Sequence, residues 1–425
     1  MKSKKEKRVA RSKKTLRIFA VILAVIAVIS AVTAVANTVV VNSNIKRAKS
    51  FSPSYVNELT FENPTDGVWN IISDNGLKVL QITDIHIGGG WLSMKKDRMA
   101  LNAVAAIINA EKPDFVIASG DIAYPVPFQA GTFNNKSGAR IFAELMETLG
   151  VYWTATYGNH DTEAYSYFDR EDITDFYEQY PHCLMRDGAK DVDGYGNQVF
   201  NIVNSDGFIT RSIYTIDSHS YVDGDYLGIM WKYDNIHENQ IEWYKNTVEE
   251  NRNHNMMKVY SSSLATPVYD NINTLNPAST VILHIPLREY EDAWVEYSGN
   301  GYSDTENVKY NYGAAGEKDE TVYHGVYDDN FFETMLELGS TDSVFCGHDH
   351  LNNFSLNYKG IDLNYSYSID YLAYAGISKL GSQRGCTVIN IDENGAIEYG
   401  LENYYQDKYT SQYPKEEVTM QELGQ

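Results

Sequence analysis

Five short stretches of this chain carry residue types that bind hard or borderline metal ions. They are Asp84-Ile85-His86, Gly120-Asp121, Gly158-Asn159-His160-Asp161, Gly347-His348-Asp349-His350, and a lone His284 behind the apolar run Val281-Ile282-Leu283. Imidazoles and carboxylates suit such ions. Asp84 and His86 are two apart, so past a strand end both can turn to one ion. Asp121 can bridge two ions with its two oxygens. Asn159 offers a neutral amide oxygen. His348 and His350 flank Asp349, and alternation in an extended loop lets both reach one place. With His160 set aside, the ligand set is Asp84, His86, Asp121, Asn159, His284, His348 and His350. It fits two ions sharing one carboxylate. Such a pair brings bound water to a pKa of ~7 and drives hydroxide at phosphorus. A lone Asp-x-His or Gly-Asp carries little information. The ordered set, each member behind a strand, points to metal.

Those motifs need strands to hold them. Residues 77–83 read as a buried strand ending at Asp84. Residues 93–110 follow, with Met99, Leu101, Val104, Ile107 and Ile108 on one helical face, and Pro113 ends that helix. Residues 115–118 form a second strand running into Gly120-Asp121. A helix over 138–149 stops at Gly150, and a third strand over 151–156 runs into Gly158-Asn159. This β-α-β-α-β rhythm predicts a largely parallel sheet with covering helices. Ligands bind at the carboxyl ends of such strands, so all five motifs are expected at one sheet edge.

Further along, residues 199–216 read as a hairpin and 237–250 as a helix. Residues 251–278, rich in Asn and Ser, read as an irregular loop. Strands return at 281–283 and 344–346. Residues 297–323 read as a long surface loop, 387–398 as a terminal hairpin, and 405–425 as a polar tail.

Residues 1–17 hold nine Lys or Arg and one Glu, whereas residues 18–41 hold no charge. Such a stretch meets the ~20 apolar residues needed to span a bilayer. Its basic flank predicts a cytoplasmic start and an exported body. The apolar run exceeds the ~7–15 residues of a signal core, which favours a retained single-span anchor. Cleavage after Ala36, in Ala34-Val35-Ala36, is the alternative and would give a secreted protein. The expected organisation is a basic segment 1–17, an anchor 18–41, a stalk 42–74, a catalytic domain 75–404 and a tail 405–425. The chain's net charge of −22 includes +8 from the leader, so the body carries −30. An acidic body repels nucleic-acid backbones and anionic lipid surfaces over a Debye length. The expected partners are therefore a small phosphate ester and the membrane, with neither nucleic acid nor an obligate protein partner. Cys183, Cys346 and Cys386 show no zinc spacing and no disulfide framework. One Cys183–Cys386 bridge stays open.

The motif order D-x-H, G-D, G-N-H-[DE], H, G-H-x-H resembles the calcineurin-like metallophosphoesterase family over roughly residues 75–400. Residues 284–290 and 346–350 are most similar to its purple-acid-phosphatase-like branch. The resemblance implies an α/β fold, a four-layer α/β/β/α sandwich, here behind an N-terminal transmembrane helix. It implies that Asp84, His86, Asp121 and His350 hold one ion, and Asp121, Asn159, His284 and His348 the other. The ions are Fe, Mn or Zn. Tyr124 stands where the family's iron enzymes place a tyrosinate, but those enzymes usually lack a histidine at the His86 position. Packing or a hydrogen bond is therefore expected of Tyr124, and the metal pair stays open. His160 is placed to protonate the leaving group or hold a phosphoryl oxygen, with Asp161 orienting it. Arg288 reads equally as a phosphate clamp or a salt-bridge residue. Tyr371, Tyr374 and His219 are further candidates for the cleft. The implied activity is metal-dependent phosphoric-ester hydrolysis by a hydroxide bridging two metals, on the outer side of the membrane. A nucleotide or pyrophosphate hydrolase, or a weakly catalytic tethered binding protein, are the alternatives.

Overall fold

The computed structural model describes residues 4–261, 275–374, 376–382 and 384–411. A single helix, α1 (Lys4–Ala48), opens the chain, and β1 (Phe61–Thr65) and β2 (Val68–Ile72) follow. Next come β3 (Leu77–Ile82), α2 (Met94–Glu111), β4 (Phe115–Ser119), α3 (Pro127–Ala130), α4 (Asn135–Leu149) and β5 (Trp153–Thr156). The middle holds α5 (Arg170–Tyr177), β6 (Gln198–Val203), β7 (Ile209–Thr215), α6 (Glu238–Ser261), β8 (Ala278–Ile282) and α7 (Glu289–Gly299). The last part holds β9 (Val308–Tyr312), α8 (Phe331–Leu338), β10 (Thr341–Cys346), β11 (Ser355–Tyr358), β12 (Ile361–Tyr365), β13 (Gly385–Ile391) and β14 (Ile397–Asn403).

The strands form two sheets. One has five strands in the order β14-β13-β3-β4-β5, and the other nine in the order β1-β2-β6-β7-β8-β10-β12-β11-β9. Strands β3, β4 and β5 run parallel, as the β-α-β-α-β reading predicts. Three apolar cores separate four layers. Val79, Ile117 and Ile389 of the small sheet meet Phe200, Ile282 and Phe345 of the large one. Outside the small sheet, Leu101, Val104 and Ile108 of α2 pack with Phe142 and Met146 of α4. Outside the large sheet, Tyr244, Tyr290 and Phe332 bring in α6, α7 and α8. This is the α/β/β/α sandwich.

Several expectations need correction. The metal motifs do not share one sheet edge. Asp84, Asp121 and Asn159 follow β3, β4 and β5 of the small sheet, whereas His284, His348 and His350 follow β8 and β10 of the large one. The site therefore lies where the two sheets meet. Residues 61–72, read as stalk, form β1 and β2, and β2 pairs with β6 at the edge of the large sheet. Residues 251–261, read as loop, continue α6. Their asparagines work against the sheet: Asn251 Nδ2 donates to Asn201 Oδ1 at 2.9 Å, and Asn255 bonds both the N–H and the carbonyl of Ile209. Residues 308–312, read as surface loop, form β9 and pair with β11. The rest of the 251–278 loop up to residue 274 and the tail beyond 411 lie outside the described residues. Before that point the tail packs down, with Tyr409 buried and its hydroxyl donating to Glu111. All three cysteines are free and buried.

Helix α1 is apolar and long enough to cross a membrane. Its last turns dock on the domain. Asn37 Nδ2 donates to the Gly131 carbonyl and Asn37 Oδ1 accepts from the Trp91 N–H. Asn44 Nδ2 donates to Asp97 at 3.0 Å, and Arg98 reaches Ser43 and Asn44.

Candidate metal centre

Four of the expected ligands follow strand ends in strained backbone. Asp84, His86 and Asp121 have φ of 51°, 52° and 53°, and His348 has φ of 75°. Such left-handed conformations cost of order 1–3 kcal/mol each in residues with a Cβ, and they cluster where function demands them. The turns aim the side chains inward. Two glycines allow the approach. A Cβ at Gly158 would overlap Asp121 Oδ1, and one at Gly347 would overlap Thr83 Oγ1.

The carboxylates and imidazoles converge. Asp84, His86, Asp121 and His350 each offer a ligand atom within 4.8 Å of the others, and all four are buried. His86 Nε2 lies 3.0 Å from Asp121 Oδ2, and His350 Nε2 lies 3.2 Å from Asp84 Oδ1. His284 Nε2 is 3.4 Å from the same Asp121 oxygen, Oδ2, and the His284 and His348 rings are 5.2 Å apart. His284 Nδ1 is tied to the Ser119 carbonyl at 2.8 Å, which leaves Nε2 turned to the cluster. Asn159 Nδ2 donates to the Tyr221 hydroxyl at 2.9 Å, leaving Oδ1 as its inward atom. Asp84 Oδ1, Asn159 Oδ1 and His284 Nε2 are buried without a hydrogen-bond partner. Buried polar atoms are nearly always paired. Orphaned acceptors and an imidazole nitrogen in one place are the donor set that metal ions complete, so the residues fit the group.

The electrostatics agree. Burial alone would pull the His86 and His284 imidazoles down, but neighbouring carboxylates outweigh it and hold both at about 9. Asp370 and Asp121 act on His86, and Asp121 and Asp84 on His284. Burial opposes ionisation of Asp84 and Asp121, yet His350 and His284 respectively lead in holding them below the usual carboxylate range. His348 is driven well below its ordinary value by burial and by His284. Without metal, the acids favour protons on His86, His284 and His350 but not on His348. Bound cations would take their place.

The groups around the cluster differ partly from expectation. Asp161 does not orient His160. Its Oδ2 accepts from the backbone N–H of Asp121 and Gly158, and its Oδ1 from Ala123, so it fastens two ligand loops together. The carboxylate on His160 is Glu163, whose Oε1 lies 2.6 Å from Nδ1. Its signal in the sequence is weak: an acid three residues past His160 in the same loop. Asp370 was also missed. It is fully buried between His86 Nδ1 at 3.4 Å and His350 Nδ1 at 3.3 Å. It accepts from the backbone N–H groups of Leu372, Ala373 and Tyr374 as well. The two histidines hold it well below the carboxylate range despite burial.

Tyr124 lies flat on the His86 ring, with centroids 4.6 Å apart, and donates its hydroxyl to Gln129. Burial, then Asp370 and Asp121, raise its phenol far above the ordinary value. It packs, as expected. Arg288 pairs with Asp328 on the surface. His219 bonds Gln240 and stacks on His237 away from the cluster. Tyr374 approaches the His350 ring at 4.6 Å, whereas Tyr371 lies under Arg384.

Several known proteins are similar to this chain. The chain is 28% identical over 326 residues to probable inactive purple acid phosphatase 14 of Arabidopsis thaliana, covering 72% of this chain and 73% of that one. It is 26% identical over 305 residues to phosphatase DCR2 of Saccharomyces cerevisiae, covering 67% of this chain and 46% of that one. A solved dimetal phosphatase from Danio rerio aligns with a TM-score of 0.42 and 10% identity, over 75% of this chain and 94% of that one. The model of the Calcineurin-like phosphoesterase family matches residues 77–352, and the chain belongs to that family.

Proposed function

We propose that this protein hydrolyses phosphate esters at a two-metal centre held outside the cytoplasmic membrane by α1. The carrying observation is the set of buried, unpartnered atoms Asp84 Oδ1, Asn159 Oδ1 and His284 Nε2 beside Asp121. In this reading Asp84, His86, Asp121 and His350 hold one ion of Fe, Mn or Zn, and Asp121, Asn159, His284 and His348 the other. When bound, the ions supply an acidified water and positive charge for the phosphoryl oxygens.

The chain's own groups do the rest. The His160 backbone N–H donates to Asp121 Oδ1 at 2.8 Å and fixes the shared carboxylate. Glu163 Oε1 lies 2.6 Å from His160 Nδ1 and orients the ring, which leaves Nε2 as the atom to pass a proton to the leaving oxygen. Asp370 aligns His86 and His350, and Tyr221 aligns Asn159. Burial of the cluster excludes bulk water and strengthens every charge contact in it.

A second reading is a binding protein with the same fold. It draws on the names of two Arabidopsis relatives, probable inactive purple acid phosphatases 14 and 29. The convergence of the seven expected ligands beside His160 favours turnover. Assay of the metal-loaded protein with a monoester, a diester and a pyrophosphate tests the proposal and sorts substrate class. Turnover of none of the three would leave the binding reading.

A further inference from the structure

Helix α1 does not lead to a flexible tether. Its last charged residue before the apolar run is Arg17, and its first side-chain bonds to the domain come from Asn37. The rise between them, at ~1.5 Å per residue, is ~30 Å, the thickness of a bilayer's hydrocarbon core. If Arg17 marks the inner boundary, Asn37 marks the outer one. The domain residues bonded to Asn37 then lie at the outer interface.

Those residues belong to an apolar rim. Trp91 and Leu92 are about half exposed, as is Phe133, whereas Tyr167 is 65% and Phe128 92% exposed. Trp91 donates its backbone N–H to Asn37, and its ring lies where a Cβ on Gly131 would collide. Phe128 sits on α3, one turn from the Gly131 carbonyl that Asn37 bonds. A groove of about 940 Å³ runs between this rim and α1 from Ser30 to Asn42, and Lys136 and Arg140 line it too. Exposed aromatic rings beside cationic side chains at that depth are the composition of a membrane interface.

The docking is also braced. Asp97 accepts from Asn44 of α1 and from the backbone N–H groups of Gly88 and Gly89, which follow ligand His86. Helix α1 is therefore hydrogen-bonded both to the rim and, through Asp97, to the loop that carries His86.

We propose that the catalytic domain rests on the lipid surface, with Trp91, Leu92, Phe128, Phe133 and Tyr167 in the interfacial layer around α1. The occupant of the rim is the phospholipid bilayer itself, because the rim is continuous with the apolar helix. This inference rests on the reading of α1 as an anchor.

The test uses the full chain in zwitterionic phosphatidylcholine vesicles with brominated acyl chains, because the acidic body is repelled by anionic lipid. An environment-sensitive fluorophore is placed on F128C or Y167C, with V295C as the control, 59% exposed on α7. The native cysteines are buried, so labelling is selective. The expected result is about twofold or stronger bromine quenching at 128 and 167, and none at 295. If the chain floats with the vesicles but 128 or 167 behaves like 295, docking is overturned while the anchor stands. If the chain does not float, the anchor reading fails and docking falls with it.

Discussion

Asp370→Asn removes one negative charge from between two histidines without changing side-chain size. In the parent, the carboxylate lies within 3.4 Å of both His86 Nδ1 and His350 Nδ1. Its Oδ1 also takes two backbone N–H groups and its Oδ2 a third. Asparagine keeps one acceptor oxygen. Whichever way the amide flips, its NH₂ faces N–H groups that had an oxygen. One histidine then loses its orienting partner, and both lose the charge that makes their inward nitrogens more basic. Losing such a support typically lowers metal affinity 10–100-fold, or ~1.4–2.7 kcal/mol. The assay is a competitive chelator titration of variant and parent. Melting of the metal-free forms, measured alongside, separates loss of the 370–374 loop bonds from loss of metal binding. A chelator titration within about twofold of the parent would refute the role assigned to Asp370.

Three further predictions follow from the same contacts. His160→Ala should lower kcat ~100-fold on a substrate with a poor leaving group, and Glu163→Gln should give a smaller drop. Asp161→Asn should instead lower the melting temperature, because it holds three backbone amides; equal kinetic profiles for all three would contradict the division of roles. In metal-free protein, His86 and His284 are raised from the ordinary 6.5 to about 9. A raised imidazole stabilises the fold fully below about 6.5, and that contribution is lost as pH climbs through about 9. Calorimetry should therefore show the metal-free melting temperature falling across that window relative to metal-loaded protein, and parallel curves would count against it. Asn251→Ala should destabilise by ~1–3 kcal/mol in urea, since it removes the three bonds that Asn251 makes to buried Asn201 and Ser212; a change under ~0.5 kcal/mol would mean that the contact carries little weight.

Much of the fold was legible because periodicity and turn residues agree locally. Pro113, Gly150 and Gly207 mark element ends that the structure keeps. The residues that converge on the centre were legible because their chemistry is spelled in short clusters behind apolar runs. What escaped lacked a local signal. The asparagines of 251–255 looked like loop, yet they are the polar face by which α6 grips a hydrophilic row on the sheet. Residues 61–65 are polar and hold Pro64, and 68–72 are only five residues long; pairing of β1 with β2 and of β2 with β6 makes them strands. Asp370 is a lone acid in a Tyr- and Ser-rich stretch, and only the sheet-to-sheet packing sets it behind two histidines. Asp161 adjoins His160 in sequence, whereas Glu163 lies three residues on. Loop geometry turned the first toward backbone amides and the second toward the ring.

The central claim is that this site is a two-metal phosphoesterase centre. Elemental analysis of the purified chain, coupled to phosphate-ester hydrolysis before and after chelation, tests it most directly. The account predicts about two metal equivalents per chain, loss of activity on stripping, and recovery when metal is returned. Full activity in stripped protein would contradict it.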